Sequence, residues 1–140
     1  MNLQILADKK DAIEGFNVAQ VVNGECKDIF NVIDSSCESV ILDGAMDHLE
    51  YDKAIELLHQ SIKKVRLQGS FVVRGVCLEK MYRDYESEQT NIGAINSVIK
   101  DIKSIQSYKD VVALLSSSKF TIDTISFSNF FYEVKCSRMD

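Results

Sequence analysis

Short apolar runs alternate with polar, turn-forming segments along the first third of the chain. Residues 3–7 and 15–22 are two such runs, and each predicts a buried strand. Only about eight residues separate them, whereas a helical crossover between parallel strands usually needs a dozen or more. If the two strands are parallel, we therefore predict that the helix between them is reduced to about one turn. Residues 28–33 fit either one helical turn or a short strand.

The middle of the chain predicts a strand, a helix and a further strand. Residues 40–42 form an apolar run after a polar loop, which indicates a buried strand. Asp52 has the position of an N-cap for a helix over 53–66, and Gly69 marks the predicted end of that helix. Residues 70–76 predict the next strand. The core-facing stripe of the helix consists of Ala54, Leu58, Ser61 or Ile62, and Val65.

The last part of the chain ends in a predicted hairpin. Residues 108–117 form a short apolar helix, and 120–127 and 131–136 predict two strands whose short connection favours antiparallel pairing. Between 78 and 108 the pattern is weak, except that one helical face carries Ile92, Ile95, Ile99 and Ile102. Together these elements predict an α/β fold, with an open, mostly parallel twisted sheet, flanking helices and a C-terminal antiparallel hairpin.

The amino-acid composition limits the kinds of partner that we expect this protein to bind. The 140 residues fit a single domain (1–140) with ordinary hydrophobic (46%) and charged (26%) fractions. The net charge is -5 and the basic residues are scattered, which argues against a nucleic-acid partner. We expect no membrane association and no secretory signal, because no 18-residue apolar run and no basic N-terminal region are present. The four cysteines lack metal-ligand spacing and predict reduced thiols in a cytoplasmic protein.

Three segments resemble class I S-adenosylmethionine-dependent methyltransferases. Residues 39–49 (SVILDGAMDHL) resemble the family's apolar strand and its "EHL"-like turn, and 67–73 (LQGSFVV) resemble its "LKPGG"-like turn and the strand that follows. Residues 112–120 (VALLSSSKF) are similar to a last helix of the "LLEEAGF" type, which precedes two final strands. The resemblance covers nearly the whole chain. It implies a compact, type 11-like form of the family with a reduced Rossmann-like methyltransferase fold.

The residues at the family's cofactor positions depart from its pattern. The family has a glycine-rich loop after the first strand, because glycine lets the backbone approach the methionine moiety, but residues 5–10 read ILADKK. An acid normally binds the ribose hydroxyls at the end of the second strand, and here Ala19 or Gln20 takes that place. The resemblance therefore implies loss of the cofactor, and we assign no catalytic, cofactor-binding or metal-binding residue from the sequence.

A few polar residues keep an enzymatic alternative open. Asp43 could face a cofactor with His48 as a general base, although Asp47 and His48 are more readily explained as the cap of a turn. A divergent methyltransferase would use S-adenosylmethionine as its cofactor. It would also need Asp8, Gln20 and Asp43 to converge on one crevice at the carboxyl ends of the strands.

The function predicted from the resemblance is that of a non-catalytic, methyltransferase-like protein. We expect it to act as a structural or interaction module, with protein partners or as a homo-oligomer. Trimmed folds of this kind occur as accessory subunits, as regulatory partners of a true methyltransferase, and as components of viral particles assembled in the cytoplasm. We expect its contact surfaces on the isoleucine-rich helix within 92–105 and on the aromatic hairpin. Packing rather than base stacking is the favoured role of the aromatic residues Tyr82, Tyr85, Phe127, Phe130, Phe131 and Tyr132.

Overall fold

Six strands form one sheet in the computed structural model, which describes residues 1–139. In chain order the strands are β1 (Asn2–Leu6), β2 (Asn17–Gln20), β3 (Cys37–Asp43), β4 (Val65–Val76), β5 (Phe120–Ser128) and β6 (Phe131–Arg138). Their order across the sheet is β2-β1-β3-β4-β6-β5. The first four strands run parallel, and β6 is antiparallel to both of its neighbours. This arrangement confirms the predicted open, mostly parallel sheet with an antiparallel hairpin at its end.

Within residues 1–139, four helices and three short 3-10 turns connect the strands. The helices are α1 (Tyr51–Lys64), α2 (Leu78–Glu86), α3 (Ile92–Ile99) and α4 (Tyr108–Ser117). The 3-10 turns are Lys9–Asp11, Lys27–Asn31 and Ala45–His48. The parallel connection between β1 and β2 thus contains a single turn in place of a helix, as its length predicts. None of the helices within residues 1–139 is long and apolar enough to cross a membrane.

The predicted ends of α1 are wrong at both termini. Glu50 occupies the N-cap position, so Asp52 lies within the first turn. The helix ends at Lys64 because the next residue, Val65, takes up extended backbone and pairs with Cys37 in the parallel ladder. Gly69 lies inside β4, where a Cβ atom would stand 3.0 Å from the backbone oxygen of Cys37. A glycine is therefore needed at this position for close approach between strands, and it does not terminate the helix.

The isoleucine-rich segment is helical only as far as Ile99. Beyond Ile99 the chain is not helical and contacts the turn that precedes α1. The Lys103 N–H donates to the Asp47 carbonyl oxygen (2.8 Å), and the Ser104 hydroxyl donates to the Leu49 carbonyl oxygen (2.6 Å). No side chain of α3 is buried. The helix α2, which contributes the buried Met81, has no counterpart in the sequence prediction.

The hydrophobic core lies on the face of the sheet that α1 and α4 cover. Side chains from both helices and from alternate positions of the strands meet there: Leu3, Ile5, Val40, Leu42, Ala54, Leu57, Leu58, Phe71, Val73, Val111, Leu115, Tyr132 and Val134. The period of two along each strand leaves the intervening positions for the opposite face.

That opposite face is largely polar over the second half of the sheet. Arg74 and Glu133 are half-buried there, and Thr124, Ser126 and Lys135 are exposed. Over β1 the same face is covered by the loop 7–16. The fully buried Gln4 side chain donates a hydrogen bond to the Asp11 carbonyl of this loop and accepts one from the Ile13 N–H. The short connection between β1 and β2 thus covers β1 on this face, while the positions on β5 and β6 are exposed to water.

Candidate functional site

A crevice of about 960 Å³ opens where the parallel strands β1 to β4 end. The carboxyl edge of an open parallel sheet is the usual ligand-binding position in folds of this class. Asp8, Gln20 and Asp43, the residues predicted to converge in an active protein, all line this crevice. His48 lines it as well. Other polar residues in its wall are Asp11, Asp47, Arg74, Asp101, Ser126, Ser128, Asn129 and Glu133.

The loop after β1 uses its own backbone donors internally. The Asp8 carboxylate accepts a hydrogen bond from the Lys10 N–H (3.0 Å), and the Asp8 carbonyl accepts one from the Asp11 N–H (3.1 Å). The Ala12 N–H donates to the Lys9 carbonyl (3.1 Å). A loop that binds an anionic ligand through its backbone needs such N–H groups free and pointing at the ligand. In this chain they close a 3-10 turn.

Gln20, at the end of β2, is turned back toward the loop. Its side-chain amide donates to the Ala7 carbonyl oxygen (3.2 Å), and its backbone N–H donates to the Asp28 carboxylate (3.2 Å). The first of these contacts ties β2 to the loop after β1. The side chain is neutral, and its amide nitrogen serves this structural contact.

A row of polar side chains crosses the sheet next to the crevice. Arg74 joins two carboxylates, with its Nε 2.7 Å from a Glu133 oxygen and an Nη atom 3.4 Å from an Asp43 oxygen. The amide of Gln4 donates to the same Asp43 oxygen (3.0 Å). The hydrogen bond from Arg74 lowers the pKa of Glu133. Asp43 is therefore held in a network within the sheet.

Asp47 is a buried acid in the wall of the crevice. The residue is only 4% exposed, and its carboxylate accepts a hydrogen bond from the Val76 N–H (3.2 Å) at the end of β4. Burial raises its pKa to about 7, against an ordinary value of 3.8. The residue belongs to the 3-10 turn Ala45–His48, which agrees with the turn expected from the sequence. Its burial was not predicted, because it arises from packing against β4.

Tyr132 of β6 forms a second buried polar group in the crevice wall. Its hydroxyl lies over Gly75, where a Cβ atom would stand 2.8 Å from the tyrosine oxygen. Burial raises the pKa of Tyr132, and the Asp47 charge adds to the effect. Of the other aromatic residues in the expected cluster, Tyr82 and Tyr85 are exposed on α2. Phe127 lies opposite Tyr132 in the β5–β6 hairpin and packs edge-on against Tyr108 (5.1 Å).

The segment after α2 forms one side of the crevice. Val98 from α3, together with Asp101 and Ile102 beyond it, lines the opening. Of the four isoleucines in the isoleucine-rich segment, Ile102 lines the opening, and it lies beyond the end of α3.

The four cysteines are free and buried. Burial raises the pKa of the Cys26 thiol to about 11 and that of Cys136 to about 12. Such thiols are poor nucleophiles at neutral pH. Within residues 1–139, no group of three or more histidine, cysteine or acidic side chains has the geometry to hold a metal ion.

Comparison with solved structures identifies the fold. The chain resembles a SAM-dependent methyltransferase from Archaeoglobus fulgidus, with a TM-score of 0.60, 10% identity, and coverage of 98% of this chain and 86% of that one. It also resembles the 1,6-didemethyltoxoflavin-N1-methyltransferase from Burkholderia thailandensis with bound 1,6-didemethyltoxoflavin and S-adenosylhomocysteine. There the TM-score is 0.58 and the identity 10%, with coverage of 99% of this chain and 71% of that one.

A third similar structure is considerably longer than this chain. An O-methyltransferase family protein from Burkholderia thailandensis matches with a TM-score of 0.61 and 7% identity over 89% of this chain, which spans about a third (36%) of that protein. No family model and no curated protein sequence matches. The chain therefore has the fold of class I S-adenosylmethionine-dependent methyltransferases, in a reduced Rossmann-like form, and the likeness at these identities concerns the fold.

Proposed function

We propose that this protein is a non-catalytic, methyltransferase-like module that works through contacts with other proteins. The observation that carries the proposal is the state of the loop after β1. The N–H groups of Lys10, Asp11 and Ala12 close a 3-10 turn. The amide of Gln20 binds the Ala7 carbonyl at the place where the family uses an acid. The loop after β1 and the residue at the end of β2, which bind the cofactor in the family, are thus hydrogen-bonded to other groups of this chain.

S-adenosylmethionine does not fit the residues of this crevice in the family's manner. The loop from Ala7 to Lys10 contains no glycine, so its Cβ atoms occupy the space next to the backbone. Gln20 offers no charge to the ribose hydroxyls, and Asp43 is held by Arg74 and Gln4.

The proposed role is that of an accessory or structural subunit. The partner is either another protein or a second copy of the chain, and assembly into a viral particle belongs to the same proposal. We further propose that the protein works in the cytoplasm. The scattered basic residues and the net charge of -5 support a protein partner over nucleic acid.

Thermal unfolding with and without millimolar S-adenosylmethionine or S-adenosylhomocysteine tests the proposal. A ligand at 100 times its Kd would stabilise the folded state by about 2.7 kcal/mol, which corresponds to several degrees in a domain of this size. We expect no shift for this chain. The Archaeoglobus fulgidus methyltransferase serves as a positive control in the same buffer. A reproducible shift of this chain with either ligand contradicts the proposal.

A second candidate function is that of a divergent S-adenosylmethionine-dependent methyltransferase. Two observations favour it: the neighbours named above are methyltransferases, and Asp8, Gln20 and Asp43 line one crevice of about 960 Å³. For this candidate, the ligand-induced shift should appear in the wild-type chain and should disappear in Asp43→Ala. An exposed acid outside the crevice, Asp52, provides the matched control Asp52→Ala.

A further inference from the structure

The outer edge of β5 is free of any neighbouring strand within residues 1–139. The last five residues of the strand are all exposed, and their sequence is Thr124, Ile125, Ser126, Phe127 and Ser128. This stretch contains no charged residue and no proline. Proteins ordinarily use lysine, proline or bulges to keep an edge strand from pairing with another chain. The bulge of β5 lies earlier, between Ile122 and Thr124, so the last five residues form a regular edge.

The hairpin fixes which backbone groups of β5 point outward. Ser128 precedes the two-residue turn and pairs with the first residue of β6. Hydrogen-bonded pairs alternate along an antiparallel ladder, so the next such pair joins Ser126 to Glu133. The N–H and C=O groups of Ile125 and Phe127 therefore point away from β6 toward the free edge.

We propose that two copies of this chain pair antiparallel through residues 124–128, around a two-fold axis at Ser126. In this register Phe127 of each copy lies opposite Ile125 of the other, and each such pair exchanges both of its outward backbone hydrogen bonds. Ser126 lies opposite its own counterpart as a non-hydrogen-bonded pair. The two sheets then continue into one another, and the interface is the same patch on both copies, as a two-fold dimer requires.

The side chains match this register on both faces of the joined sheet. Phe127 and Ile125 lie on the face that α4 covers, where the Phe127 ring contacts Tyr108 (5.1 Å) and the Arg83 guanidinium (5.8 Å). Ile125 is 41% exposed and Phe127 is 36% exposed, and pairing would cover both. On the other face the opposed residues are serine and threonine, which continue the polar surface of the sheet.

Other registers match less well. A shift of one residue would set each apolar side chain against the polar face of the second copy, because side chains alternate along a strand. In one direction, a shift of two residues would set Phe127 opposite the bulged Asp123, whose carboxylate binds the Ser137 hydroxyl (2.8 Å). In the other direction it would set Ile125 opposite Asn129 in the turn. Only the register centred on Ser126 pairs both apolar residues with apolar residues.

The edge itself supports a second copy of the chain as the occupant, because it is complementary to itself in this register. Next to the edge, Leu78 (56% exposed) and Tyr82 (65% exposed) of α2 line a shallow groove with Tyr108, the residue that contacts Phe127. The groove also contains the charged residues Glu79, Arg83 and Lys109, so the surface beside the edge is only partly apolar. Ser126 and Ser128 also line the crevice, so the proposed pairing would border the crevice on its β5 side.

Sedimentation velocity of the full chain tests the proposal. We expect a species of twice the chain mass of 15.8 kDa within a range from low micromolar to about 0.2 mM. In Ser126→Lys two lysines would face each other on the two-fold axis, while each would lie beside Glu133 of its own chain. We expect this variant to fold and to be monomeric. The control Thr121→Lys, exposed on the same strand but outside the paired segment, should remain a dimer.

A cross-link reports the register directly. A non-hydrogen-bonded antiparallel pair has its Cα atoms about 4.5 Å apart, within the range of a disulfide. Ser126→Cys should therefore form a disulfide-linked dimer under mild oxidation, whereas Thr121→Cys should not, and the buried native cysteines do not compete. A wild-type chain that is monomeric over the whole range overturns the proposal. So does a dimer that persists in Ser126→Lys and is not linked in Ser126→Cys.

Discussion

Replacing Asp47 by asparagine should stabilise the protein at pH 8 and leave its stability near pH 4 almost unchanged. Asp47 is 4% exposed, and its carboxyl group accepts a hydrogen bond from the Val76 N–H. Asparagine has the same shape and keeps an oxygen that accepts this bond. It carries no charge at any of these pH values, so the substitution removes the cost of burying a carboxylate.

The magnitude follows from the shift in pKa. Asp47 has a pKa of about 7 in the folded state and 3.8 ordinarily, so between these values the folded protein holds a proton that the unfolded chain has lost. The free energy of unfolding therefore falls as pH rises through this interval, by about 1.4 kcal/mol per pH unit. Over the whole interval the loss is roughly 4 kcal/mol, an upper limit if water reaches the carboxylate through the crevice.

Urea unfolding of the wild type and of Asp47→Asn at several pH values measures this effect. Between about pH 4.5 and 6.5 the stability difference should grow by roughly 2.7 kcal/mol in favour of the variant, and above pH 7 it should be constant. Asp52→Asn, an exposed position in the first turn of α1, controls for the loss of one acidic charge. Parallel pH profiles for the wild type and Asp47→Asn would refute the reasoning, because they would mean that Asp47 ionises alike in both states.

Three further predictions concern the surroundings of the crevice and the thiols. Gly75→Ala places a Cβ 2.8 Å from the Tyr132 hydroxyl oxygen and should cost about 1–3 kcal/mol in urea unfolding. The double variant with Tyr132→Phe should recover part of that loss, and no recovery would contradict the contact. Arg74→Met leaves Asp43 and Glu133 without their shared cation and should cost roughly 1–2 kcal/mol at neutral pH. This cost should shrink once both acids are protonated, and one that does not change with pH would argue against the network. A thiol reagent at neutral pH should label none of the four buried cysteines within minutes and all four after denaturation, whereas rapid labelling of the native protein would contradict their burial.

The elements that the sequence predicts well are those with short apolar runs between turn-forming residues. The strands β1, β3 and β6 and the helix α4 are of this kind, because a local pattern of burial decides them. The ends of α1 depend on contacts made at a distance. Val65 pairs with Cys37, a residue far away in the sequence, and this pairing ends the helix earlier than Gly69 would.

The position of the candidate site can be predicted from the sequence, but the hydrogen bonding of Gln20 and the burial of Asp47 cannot. The end of each parallel strand predicts which residues meet, and Asp8, Gln20 and Asp43 do line one crevice. The direction in which Gln20 donates and the burial of Asp47 depend on how the loop and β4 pack around them. No pattern of residue types carries that information, so neither feature could be predicted from the sequence.

Isothermal titration of the wild-type chain with S-adenosylhomocysteine tests the central claim most directly. We expect no saturable heat up to millimolar ligand, because the N–H groups of Lys10, Asp11 and Ala12 already bind within the loop. The amide of Gln20 likewise already binds the Ala7 carbonyl. Saturable binding with a Kd below about 0.1 mM, lost in Asp43→Ala and retained in Asp52→Ala, would contradict it. That result would identify the crevice as a working cofactor site.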